Sequence, residues 1–483
     1  GEVLVEPLAN YFAGRVRRDI GNGSAAYGII ATAVNRQLND ENLASRLRSS
    51  AYALGIDGRI DLRNRTWSLS GALAQSYIRG SEGAIQAVQR SSARYFQRPD
   101  ADHLEYDPTA TSLAGLFGVV RLSKNAGDWR GNATLSATTP GYEVNDLGFQ
   151  SAADRVNFSS NISYDDTTPG LLRSWGFGIS PSGVWNFAGE PQQLQISVQA
   201  DAQLLSFHGF NVRAARQFET YDDRFTRGGP NAKSPAGYTA GFGINSDGRK
   251  PFQVRTNFNW GADDAGGWQR SVNLGITMRF SGIYDIQLTP EYRRSRSPAQ
   301  FVTTVADPLA EDTYGVRYIF APLEQTQVSL QARVNMAFTQ NLTFELYAQP
   351  LLSSGDYREL MEFTKPGEFE FHTYGTGGST ITKLADGRYE IDPDGPGPAE
   401  VFRVRDQDFN VRSLLGNAVL RWEWRPGSTL FLVWQQTRSD RLTGNLTEGG
   451  PVGSFRFGED AKAMLDLKPD NIFLIKVNYW LNP

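Results

Sequence analysis

The chain contains no cysteine, only three histidines among 483 residues, and no long apolar run. Without cysteine there can be no disulfide, thiolate metal site or cysteine nucleophile. That is compatible with an oxidising compartment but does not require one. His103, His208 and His372 lie far apart without ligand spacing, which argues against histidine-based catalysis or metal binding. Gly-x-Ser-x-Gly, His-Glu-x-x-His and phosphate-loop patterns are missing too, and no carboxylate stands out as catalytic among 52 acidic residues. The longest apolar run, Leu113 to Val120, is eight residues with its glycines. A membrane helix needs ~20. With 48 basic and 52 acidic residues the formal charge is −4, too balanced for a nucleic-acid partner. The opening Gly-Glu-Val-Leu-Val has neither the basic nor the apolar region of a signal peptide. An exported barrel needs such a signal, so it is expected to have been removed or left out.

What the chain has in quantity is alternation. From Val272 to Phe280 the residues Val272, Leu274, Ile276, Met278 and Phe280 alternate with Asn273, Gly275, Thr277 and Arg279. Successive side chains of a strand point to opposite faces, so the segment has one apolar and one polar side. The pattern recurs about nineteen times. The hydrophobic fraction is 40%, low for a globular protein of this length, whereas glycine (49), tryptophan (10), tyrosine (19) and phenylalanine (28) are abundant. A wall one residue thick, apolar outside and hydrated inside, has this composition.

Most connections alternate in length, although those at 187–191 and 262–267 are short as well. Short turns such as Gly21-Asn22-Gly23-Ser24, Asn125-Ala126-Gly127, Asp247-Gly248, Ser281-Gly282 and Pro426-Gly427 exchange with loops at 80–112, 140–154, 221–236, 298–312, 358–410 and 440–469. A helical pattern marks 84–88 within the first of these, and Pro322 suggests a bulge or a membrane boundary. Trp67, Trp129, Trp268, Trp424, Trp434 and Trp480 fall near strand ends, where an aromatic girdle would meet lipid headgroups. A soluble sandwich also alternates. The amide- and hydroxyl-rich polar face, the tryptophans and the loop asymmetry favour an all-β fold: a large antiparallel transmembrane β-barrel of about 19 strands, residues 1–483 as one domain in a bacterial outer membrane, with a periplasmic C-terminus.

Parity sharpens the expectation. Single-chain bacterial barrels have even strand numbers, so nineteen implies that missing upstream residues or another chain supply an odd number of strands. The alternative is one overlooked strand in 80–112 or 313–339.

Candidate site residues follow from the same alternation. Arg255, Arg279, Arg333 and Arg421 fall on the polar face and could bias a pore toward anions, or pair with Glu345 and Glu423 and fill the lumen. Asp392 and Asp394, with Glu400, could hold calcium in a Gly-rich turn, or form a solvated acidic loop. Asp222, Asp223, Arg224 and Arg227 could be a salt-bridge cluster or touch a surface sugar. No cofactor is otherwise expected.

Glu6-Pro7-Leu8-Ala9-Asn10-Tyr11, Gly141 to Phe149, Arg224 to Pro235, Ser246 to Phe252, Asp408 to Gln436 and Pro469 to Pro483 carry a resemblance. The chain resembles the C-terminal barrel domains of unknown function that follow a family-9-type carbohydrate-binding module in bacterial outer-membrane proteins. The resemblance implies an outer-membrane barrel and an upstream half bearing the sugar-binding-like module and the first strands; it carries no catalytic residues. The ending Tyr479-Trp480-Leu-Asn-Pro departs from the aromatic terminus usual in such barrels. Two functions fit: a transport or secretion conduit with a polar lumen, associated with carbohydrate, or a sealed anchor for a carbohydrate-binding or hydrolytic module. The expected partners are outer-membrane lipid, the completing segment or chain, and a glycan.

Overall fold

In the computed structural model, which describes residues 6–444 and 452–481, one antiparallel sheet dominates. Its nineteen long strands are β1 (Leu8–Ile20), β2 (Ala25–Gln37), β3 (Ser50–Leu62), β4 (Trp67–Arg79), β5 (Ser112–Lys124), β6 (Trp129–Thr138), β7 (Arg155–Asp166), β8 (Ser174–Trp185), β9 (Pro191–Gln203) and β10 (Gly209–Gln217), followed by β11 (Gly237–Asn245), β12 (Phe252–Asp263), β13 (Trp268–Phe280), β14 (Tyr284–Ala306), β15 (Val316–Thr339), β16 (Leu342–Tyr357), β17 (Phe409–Arg425), β18 (Ser428–Thr443) and β19 (Asp470–Asn478). Each pairs with its sequence neighbours, as up-and-down barrels do. Among the described residues no pairing joins β1 to β19, so each keeps one free edge.

The register keeps the apolar residues of successive strands in line. Phe242 faces Phe258, Phe258 faces Val272, Val272 faces Tyr292, and Tyr292 faces Val328. A slip of one residue anywhere would turn a whole strand's apolar set to the other side. The aromatic residues of this band remain exposed, Phe258 at 49% and Tyr292 at 43%, and the valines in line with them are half-buried. In water such a continuous band would be a serious aggregation hazard; in lipid it is the required surface. Between the two free edges, the continuous backbone pairing along the wall meets the other demand of hydrocarbon, that no N–H or C=O be left bare.

Long-range contacts show that the sheet curves. The connection between β4 and β5 meets that between β10 and β11, six strands on: Arg224 donates to the Ala93 carbonyl at 2.9 Å. The latter loop in turn reaches β15, where Phe225 stacks on Phe320 with centroids 4.5 Å apart. Loops far apart along a flat sheet cannot touch, so they converge over the mouth of a cylinder.

Several expectations need correction. The stretch 298–312 is not a loop throughout: β14 continues to Ala306, pairing with β15 through irregularities at Ser297/Gln300 and Phe301/Thr303. Arg293 to Pro298 look like a strand end, but the hairpin runs on beyond the membrane band. The irregularity lies in β14, across from Pro322. The loop 358–410 holds short strands, including a three-stranded sheet of Thr380–Lys383, Tyr389–Asp392 and Phe402–Val404. The loop 221–236 holds the pair Thr220–Asp222 and Ala232–Ser234. The stretch 440–469 begins later, since β18 runs to Thr443, and includes the helix Phe457–Asp466; its residues 445–451 lie outside the described residues. The Asp247-Gly248 hairpin forms with a longer connection than a two-residue turn, 246–251, in which Asp247 accepts from the Arg249 backbone and guanidinium.

Candidate functional site

The long-loop end carries the most organised chemistry. After β4, Ser81 caps the helix α1 (Glu82–Gln89), its hydroxyl accepting from Ala84 N at 3.3 Å. Ile85 and Val88 recur at helical spacing and bury against Val34, Ala51 and Ile78. Those three are cross-strand neighbours on the face opposite the lipid band. The helix therefore lies inside the mouth. The loop between β6 and β7 enters too. A Cβ at Gly115 would overlap the Tyr142 backbone, so only glycine lets the loop pass this close. Glu143 N donates to the Ser76 hydroxyl on the same face at 2.9 Å.

Charged side chains fasten these loops. Arg155, on the polar face of β7, makes a two-pronged bond to Asp223 at 2.9 and 2.6 Å. Arg98 stands 3.6 Å from Asp223 and 4.0 Å from Asp154, and His103 is 2.8 Å from Asp154. Arg94 pairs with Glu143 at 2.7 Å. Arg36 and Arg48 share Asp146 at 2.6 and 3.0 Å. Arg98, Asp154 and Asp223 are 5%, 2% and 4% exposed. Burial lowers the affinity of the Arg94 guanidinium for its proton and raises that of the Asp222 carboxyl.

Of the residues 222–227, Asp222, Asp223 and Arg224 stay together, with Arg224 3.9 Å from Asp223, while Arg227 stands apart. Asp223 turns to Arg155 and Arg98; Asp222 accepts the Arg224 backbone N–H; Arg224 reaches Ala93; and Arg227 lies over Phe301. The sequence reading missed Arg94, Arg98, Glu143, Asp154 and Arg155. Their partners lie up to 125 positions away, and loops carry no period that would show it.

A second feature lies in the loop 358–408. Tyr357, Tyr374, Tyr389, Ile381, Lys383 and Asp406 line a cavity of about 290 Å³. Lys383 bonds Asp406 at 2.8 Å. Aromatic walls with a few fixed polar groups are the usual make-up of a small-molecule site. Where the loop rejoins the wall, the Asp408 carboxylate accepts from Tyr357 N at 2.7 Å. Burial, with Asp406 and Asp356 nearby, pushes its pKa up to about 6.

The expected lumen residues share the polar face. Arg255 donates to Asn245 at 2.8 Å, Arg279 pairs with Asp285 at 3.1 Å, and Arg421 pairs with Glu423 at 2.9 Å. Arg333 lies over the ring of Tyr347, 5.3 Å from its centroid. Glu345 lines a cavity of about 300 Å³ near the short-turn end, beside Arg279 and Asp285. The six residues do not converge on one point.

Of the tryptophans, Trp67, Trp129, Trp424 and Trp480 stand at the short-turn end; Trp129 packs against Tyr164 and Phe177. Trp268 opens β13 beside the short connection 264–267 of the long-loop end. Trp434 stacks on Phe473 and donates its indole N–H to Asn471. His208 bonds Ser206 and His372 bonds Ser379, both at 3.0 Å. Asp392 accepts Gly395 N and Asp394 accepts Ala399 N through one oxygen each, and the other Asp394 oxygen is buried without a hydrogen-bond partner among the described residues. Among the described residues no three His, Cys, Asp or Glu side chains are grouped to hold a metal.

With this geometry in view, the class is clear: an all-β wall of outer-membrane barrel type. The chain belongs to the family described as a domain of unknown function, DUF5916, whose model matches residues 1–482. No curated protein matches the chain. Similar solved structures include the siderophore receptor PirA from Acinetobacter baumannii (8% identity, 98% of this chain and 71% of that one, TM-score 0.40) and the FrpB iron transporter from Neisseria meningitidis (9%, 98% and 79%, 0.42). The ferric enterobactin receptor PfeA from Pseudomonas aeruginosa is similar at 8% identity, over 92% and 71%, with a TM-score of 0.35.

Proposed function

We propose that this chain is most of the wall of an outer-membrane conduit whose long-loop mouth is extracellular and stoppered by its own inward-folded loops. The observation that carries the reading is the placement of α1 and the 139–154 loop against the polar face of β2–β5, fastened by buried ion pairs. A stopper is needed only where a lumen exists to be closed. Of the polar-face arginines, Arg279 and Arg421 are matched by Asp285 and Glu423, and it is Arg255 and Arg333, without an acidic partner among the described residues, that give that lumen a bias toward anionic cargo. The free edges of β1 and β19 support a second element: an odd number of further strands, upstream in the same polypeptide or from a partner, closes the cylinder. The C-terminus is then periplasmic. The tyrosine-lined cavity supports a glycan as surface ligand and agrees with an upstream carbohydrate-binding module.

Planar-bilayer recordings on the complete polypeptide test the conduit. The wild type should show small or intermittent currents, and a variant lacking residues 83–109 should show large steady ones. A loop-deleted barrel that inserts but never conducts would instead favour the other reading, a sealed anchor for a carbohydrate-binding or hydrolytic module, for which the buried mouth also speaks.

A further inference from the structure

On the lipid face the register brings three arginines together. Arg270 stands directly opposite Arg294 across β13 and β14, and Arg296 stands opposite Trp268 one step nearer the long-loop end. All three are exposed. Like charges directly opposite on neighbouring strands repel, so their placement requires an explanation. Only part of the charge is matched within the chain. Arg294 pairs with Glu324 at 3.3 Å, while Arg270 and Arg296 have no acidic partner among the described residues. Arg270 and Arg294 flank one indole, their guanidinium carbons 5.4 and 5.6 Å from Trp268. The lipid-facing positions of β6–β9, by contrast, carry no arginine.

Beneath the arginines lies a shallow, open apolar depression. A groove of about 710 Å³ runs along β10–β14, its walls including Val212, Phe242, Phe258, Trp260, Val272 and Tyr292. Arg270 stands at its rim. The register orders the chemistry by depth: arginines and Trp268 uppermost, then the apolar band. An arginine deep in hydrocarbon is costly and one at the headgroup level is nearly free, so this row lies at the interface on the long-loop side.

We propose that this face binds a phosphate-bearing, multiply acylated lipid of the outer leaflet, with phosphate oxygens bridging Arg270 and Arg296 and acyl chains in the groove below. Guanidinium groups suit phosphate because they offer paired N–H donors in a plane. The apolar groove argues for a lipid rather than free phosphate. The assignment rests on the reading of the long-loop end as extracellular.

The test uses the complete barrel in detergent with purified diphosphorylated lipid A as probe, retained lipid being quantified by mass spectrometry. Arg270→Gln/Arg296→Gln should lower retention about tenfold, while Arg79→Gln, at a lipid-facing position away from the groove, should not. Phosphatidylcholine should be retained poorly by the wild type, and millimolar inorganic phosphate should fail to displace lipid A. Equal retention by the double variant, equal retention of phosphatidylcholine, or displacement by inorganic phosphate alone overturns the proposal. Heat-modifiable electrophoretic mobility confirms that each variant is folded. Labelling of the long loops from outside intact cells tests the orientation separately, so its failure is distinguishable from failure of the site.

Discussion

The two ends of this barrel are built differently. At the short-turn end, connections such as Gln340-Asn341 and Pro426-Gly427 only reverse the chain, and polar-face side chains pair locally, Arg279 with Asp285 and Arg421 with Glu423, half in water. At the long-loop end, ion pairs of the same chemistry reach across the mouth and are buried, as with Arg155, Arg98 and Asp223. An exposed pair contributes little, because water solvates both charges nearly as well as they solvate each other. A buried pair has lost that alternative, so removing one partner strands the other. The contrast teaches that the wall is shaped by alternation, while closure of the mouth depends on a few charges.

The largest expected effect therefore lies at Asp223. Asp223→Ala leaves the Arg155 and Arg98 guanidiniums without their shared carboxylate and should cost the mouth about 3–5 kcal/mol. Hydrogen exchange in 81–111 and 221–231 should rise sharply while strand amides stay protected; unchanged exchange would remove the buried pairs from the account. Next is Gly115→Ala. Its methyl meets the Tyr142 backbone, so the 139–154 loop must move, at about 1–3 kcal/mol, read as new protease cleavage in that loop.

A smaller effect is pH-dependent. Asp408 titrates near 6 in the folded protein, above the ordinary 3.8. Both states are protonated below about pH 4. As pH rises from 4 to 6 the unfolded segment releases its proton first, so the docking of 358–408 weakens across that window and stays weakened above it. Protection factors in this loop, corrected for the intrinsic pH dependence of exchange, should be higher at pH 5 than at pH 7.5, and Asp408→Asn, which can still accept from Tyr357 N, should flatten the difference. The smallest effect is expected at the short-turn end: Arg421→Gln should change stability by less than about 0.5 kcal/mol, measured by urea titration of the reconstituted barrel.

The wall was legible because a strand's face is written every second residue. Val272 to Phe280 needs no partner to show which way it faces, and the nineteen expected strands match the nineteen long ones. The helix after β4 was legible for the same local reason, in the helical pattern of residues 84–88. The stopper was not. Arg98 meets Asp223, and Gly115 meets Tyr142, through contacts set by curvature of the whole sheet. The overrun of β14 was hidden because bulges at Ser297 and Phe301 break the alternation that would have revealed it. The short strands of 358–410 sit among glycines and prolines that read as turns.

The absence of native cysteine permits a direct test of which face meets lipid. Single cysteines placed along β13 in the membrane-inserted protein would be exposed to a water-soluble maleimide. Asn273→Cys, Gly275→Cys and Thr277→Cys should be modified, and Leu274→Cys, Ile276→Cys and Met278→Cys should be spared. Labelling that ignores the alternation, or favours the second set, would contradict a wall with oil on one side and water on the other.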